Sequence, residues 1–185
     1  MMPISSHAAG FFKRNAWLVG LLMWAGCASN EGETAHLTCD DKLAEVEGLA
    51  AATFSELEPS AEALRELSKA YADFANDCHD HPLAAEMLFR RADVLRGLGK
   101  THEALALYRD IHDHHGEFER RPECAFLVAF LYDVELGDRA QALKAYHNVL
   151  EIHPDSEAAL WAGQALMALG EGTALDNGIE LELGF

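Results

Sequence analysis

The chain is short of cations, of long apolar runs and of the motifs that mark common enzymes. Lys and Arg number 14 against 31 Asp and Glu, a formal charge of −17 over 185 residues. A surface so acidic repels phosphate backbones, so no nucleic-acid partner is expected. The apolar run from Ala16 to Ala25 falls short of the roughly 20 residues that a membrane-spanning helix needs. GxSxG, HExxH and CxxC are absent, and the acidic residues are scattered as on a solvated surface. GLGKT at 97–101 has the end of a phosphate-binding loop, but Val94 stands where that motif needs a Gly, so a turn between helices is expected. Catalysis, a cofactor and a small-molecule substrate are therefore not expected.

What is present begins with Lys13 and Arg14, then the apolar run, then small residues before Cys27. That order is the order of an export signal, read here as residues 1–26. WAGC at 24–27 resembles the lipobox of bacterial lipoproteins, with Trp24 in place of the usual aliphatic residue. The resemblance implies an acylated Cys27 that tethers the chain to a membrane without spanning it, or secretion if the box is not used. Ala28 and Ser29 after the cysteine imply, by the same resemblance, the outer membrane. Residues 27–39 are polar and without period, the composition of a flexible linker.

Beyond the linker the chain is rich in Ala, Leu and Glu, with apolar residues three and four apart, which predicts helix after helix. Pro59, Pro82, Pro122 and Pro154 fall between the segments, where helices stop or have not begun. Ala70, Ala104 and Ala142 each precede an aromatic by four residues: Phe74, Tyr108 and Tyr146. Each also precedes Pro82, Gly116 or Pro154 by twelve, so the copies are 34 and then 38 residues apart. Gly99 and Gly137 stand five residues before the Ala of the last two copies, where a Gly can close the first helix of a pair.

This pattern resembles the tetratricopeptide repeat, most closely over 83–116 and 122–155, with Phe130 at the small-residue site that Ala92 occupies one copy earlier. The resemblance implies an all-α fold, antiparallel helix pairs stacked in a short right-handed superhelix, an α–α solenoid. The repeats are expected over about 40–82, 83–116 and 122–155, with a closing helix at 156–169 and a tail at 171–185. The mature chain is similar in style to repeat-bearing outer-membrane lipoproteins such as the barrel-assembly and Tol-Pal coordinating proteins. That implies a non-catalytic scaffold for other envelope proteins at the periplasmic face.

Ten histidines raise the alternative of a periplasmic metal-binding protein. His81, His115 and His153 occupy one equivalent place in successive copies, on the order of 10 Å apart by typical helix spacing. They are too far apart to share one ion, whose ligands sit about 2 Å away, and a helix C-terminus favours His in any case. A local set of His112, His115 and Cys124 is the remaining metal candidate.

Docking residues are expected on the first helix of each pair, which lines the concave face of such a stack. On 83–98 these are Glu86, Phe89, Asp93 and Arg96; on 123–136, Leu127, Leu131 and Val134. The latter helix is apolar nearly all round, which predicts either burial beneath the closing helix with Trp161 or an apolar groove for a partner. The tail alternates Ile179, Leu181, Leu183 and Phe185 with Glu180 and Glu182. It is expected to fold over the last helix or to add a strand to a partner's sheet.

Finally, Cys39 stands 18 residues before position 57, and Cys78 stands 18 after position 60. If helices at about 40–57 and 61–79 form a hairpin through Glu58, Pro59 and Ser60, both cysteines lie at its open end, and a Cys39–Cys78 disulfide is expected, since an exported protein keeps such bonds. A shift of one turn in either helix would instead leave three free thiols.

Overall fold

The computed structural model describes residues 37–170, in which seven α-helices follow one another. The signal, Cys27, most of the linker and the 171–185 tail lie outside the described residues. α1 (Cys39–Ser55) opens on a capping box: the Asp41 amide donates to Thr38 Oγ1 at 3.2 Å, and the Thr38 amide donates back to Asp41 Oδ2 at 3.0 Å. α2 (Ala61–Asp77) is capped by Ser60, directly after Pro59. Each device satisfies amides that the first helical turn leaves without partners.

α3 (Ala84–Gly97) and α4 (Thr101–His114) form the second pair. Gly99 between them takes a φ of +71°, and the Lys100 amide turns back to the Leu95 carbonyl at 2.9 Å. A left-handed residue of this kind ends a helix without the clash that a Cβ brings. α5 (Arg121–Phe130) has Pro122 in its first turn, and α6 (Arg139–Ile152) begins after Gly137, whose φ is +65°. α7 (Glu157–Ala168) is capped by Ser156 and closes the described stack. Consecutive helices pack in chain order, and α5 also meets α7.

Among the described residues, three clusters make up the core. Leu67, Tyr71, Phe74 and Met87 bind the first pair to α3. Phe89, Ala92, Ala104 and Tyr108 fill the second pair and meet Cys124, Val128 and Leu131. Ala125, Ala129, Ala142 and Tyr146 form the third with Ala158, Ala162 and Leu166 of α7. Thus Cys124, Val128 and Leu131 look back along the stack while Ala125 and Ala129 look forward. Both stripes have the spacing of a single helix face, which is why this helix needs apolar residues nearly all round.

The third pair departs from the sequence reading. Ala129, not Phe130, is the fully buried small residue in its core, beside Ala142. Gly99 follows Ala92 by seven residues, whereas Gly137 follows Ala129 by eight. The additional residue is absorbed directly after α5, where 131–135 form a π turn and the Leu136 amide donates to the Leu131 carbonyl at 2.9 Å. Such a turn takes in one residue without breaking the helix, so the buried registers on either side are kept.

Candidate functional site

A groove of about 580 Å³ runs between α1 and α3, the first helices of successive pairs, with α2 below. Ala50, Ala51 and Phe54 of α1 face it at three- and four-residue spacing, opposite Val94 of α3 and Leu64 of α2. Phe54 is 57% exposed. An aromatic ring so open on a concave, largely apolar wall is unusual for a side chain whose only role is packing.

Arg90, Asp93 and the Tyr71 hydroxyl bring polar groups to the groove, and neighbours outside it hold two of them. The Arg90 Nε donates to Glu86 Oε1 at 2.8 Å, and Arg120 approaches the other Glu86 oxygen at 3.7 Å. The Tyr108 hydroxyl donates to Asp93 Oδ1 at 2.6 Å. Burial, with Asp93 adding to it, holds the Tyr108 phenol protonated well above its ordinary range. Tyr71 is likewise raised, chiefly by burial, although Arg90 opposes the shift. The two phenols therefore stay protonated at physiological pH, and the groove wall is largely apolar.

Glu86, Asp93 and Arg96 are half-buried on α3. Phe89 is not a docking residue: it is fully buried, with its ring 5.4 Å from Tyr108 and the Arg120 guanidinium 3.6 Å above it. It precedes Ala92 by three residues and so shares the inward face of the helix. Leu131 is also fully buried, within the second pair's core, and is likewise excluded. Leu127 is half-buried against that core, and Val134 is exposed on the π turn. Trp161 lies far along the stack on α7, with its ring 5.4 Å from Phe126. The sequence reading missed Ala50, Ala51 and Phe54, whose spacing was legible but whose helix lacks the repeat's signature residues.

Cys39 and Cys78 are joined by a disulfide, with Cα atoms 5.8 Å apart. Cys124 is free and buried, and burial pushes its thiol up to about 12, the condition of an inert packing group rather than a ligand. His115 does not join it. Instead His112 Nε2 lies 3.0 Å from His153 Nε2, a contact between non-equivalent positions of two repeats. Among the described residues no three His, Cys, Asp or Glu side chains converge to hold a metal, so the metal alternative finds no support.

Stacked antiparallel pairs, glycine-closed first helices and an Ala–aromatic core define an α–α repeat solenoid. The family model for the tetratricopeptide repeat matches residues 47–113 and 127–174. The chain belongs to that family, whose members generally bind other proteins. Among curated proteins, none matches the chain at a significant level.

Proposed function

We propose that this protein is a non-catalytic adaptor, held through a lipid on Cys27 at the periplasmic face of an outer membrane. It docks an apolar segment of another envelope protein between α1 and α3. The observation that carries the reading is the exposed Phe54 at the mouth of a groove of about 580 Å³. The disulfide supports the exported setting, because such bonds persist outside the reducing cytosol. The lipobox-like WAGC supports the anchor.

A photo-crosslinking amino acid at position 54 of the full chain, in intact cells, tests the groove. Discrete adducts with an envelope protein are expected from position 54, and none from the exposed Lys144 on α6. Identical patterns from both positions, or none from 54, would sink the assignment. The anchor is tested separately by Cys27→Ser, which should move the protein from the membrane fraction to the soluble one. An unchanged distribution, with no acyl mass on the wild-type protein, removes the lipid from the reading.

A further inference from the structure

α7 carries an outward stripe that no described helix covers. Leu160 is 67% exposed, Met167 61% and Trp161 38%, and Gln164 and Ala168 lie open between and beside them. After Glu157 in its first turn the helix has no charge. Repeat solenoids require a polar outer face on their terminal element, and α7 presents the reverse.

We propose that the chain supplies its own cap, with GIELELGF, residues 178–185, lying along this stripe. Fifteen residues follow Gly170, whose φ of +73° already turns the backbone out of the helix. α7, with 12 residues, is roughly 18 Å long at 1.5 Å per residue. Eight extended residues span about 26 Å, enough to run back along its whole length. Residues 171–177 provide the slack to reverse direction, and Asp176, Asn177 and Gly178 are residues that favour a turn.

The pattern of the segment fits the surface. Ile179, Leu181, Leu183 and Phe185 fall on one side of an extended strand, with Glu180 and Glu182 on the other. The apolar side meets Leu160, Trp161 and Met167, and the carboxylates face water, away from Glu157, which lies at the N-terminal end of the same helix face. A second copy of the chain is the weaker occupant. The stripe offers on the order of 200 Å², from the helix length and a width of about 10 Å, against about 800 Å² per partner in a stable dimer.

The chain has three tryptophans, Trp17, Trp24 and Trp161. Trp17→Phe and Trp24→Phe in the full chain therefore leave Trp161 as the sole indole reporter. The measurement is acrylamide quenching of Trp161 in that protein, in a version ending at Gly170, and in a Leu181→Asp, Leu183→Asp version. Both altered tails are expected to raise the quenching constant roughly twofold, because a cap over the ring removes much of its remaining accessible area. Their emission should shift to longer wavelength, with far-ultraviolet helicity unchanged. Equal quenching in all three proteins overturns the proposal. Protection of Trp161 that grows with protein concentration, together with a doubled mass in light scattering and survival of truncation, also overturns it in favour of a second copy.

Discussion

Phe89 and Phe54 show how much one residue's direction decides. Both are aromatic residues on first helices, but Phe89 is sealed under Arg120 while Phe54 opens on the groove. Phe89→Ala should lower the unfolding free energy by about 3–5 kcal/mol, the usual cost of emptying an aromatic site in a core. Phe54→Ala should leave stability within about 0.5 kcal/mol, as for exposed positions. Chemical denaturation of the two variants checks the contrast, and similar losses from both would contradict the assignment of faces. The histidine pair yields a second residue-scale expectation. Burial first, then His112 and Arg121, hold the His153 imidazole below its ordinary range, and Asp113 Oδ1 sits 2.9 Å from His112 Nδ1. The folded state thus favours neutral His153. Its contribution is complete above the unfolded value of about 6.5 and fades as pH falls through the lower folded value. Melting temperatures taken at about pH 7.5 and about pH 5.5 should differ less in His153→Gln than in the wild type.

At the scale of elements, α1 depends on what holds it. Among its residues only Val46 and Thr53 are buried, its principal neighbour is α2, and Lys42 reaches Asp77 at 2.6 Å across an exposed surface. The disulfide, with a sequence separation of 39, is therefore its main restraint. Cys39→Ala with Cys78→Ala should cost about 4 kcal/mol by the chain-entropy relation for a loop of that size. Amide exchange should rise first along α1, which also forms a wall of the groove; uniform acceleration across all helices would refute that order. The π turn gives a sharper contrast. Deleting the exposed Val134 should restore ordinary helix with little loss, whereas deleting Ala125 should slip the forward core stripe and destabilise strongly, as thermal melts would show. Helix order and breaks were legible because Pro and Gly punctuate the chain, and the hairpin count placed both cysteines at one end. The π turn was hidden because an inserted residue looks, in a linear alignment, like a substitution at the small-residue site. The same slip concealed where Leu131 points, and Phe89 was misplaced by taking a residue three before Ala92 for the opposite face.

Across the described stack, packing passes from each helix to the next, so its stability is spread along a line rather than gathered at one centre. The acidic excess of 31 Asp and Glu over 14 Lys and Arg predicts that a cationic partner associates faster at low salt. Its rate of association should fall steeply as the Debye length shrinks from about 30 Å at 0.01 M to about 8 Å at 0.15 M. A salt-independent rate, measured in stopped flow with the partner from crosslinking, would argue for purely apolar docking. The Cys39–Cys78 bond also has a mechanical meaning. Any pull on the backbone ahead of Cys39 crosses the sulfurs directly to Cys78 and continues into α3. Residues 40–77 form a closed loop outside that load path, so a tethered molecule under tension would stretch elsewhere first, while the α1 wall of the groove stays slack.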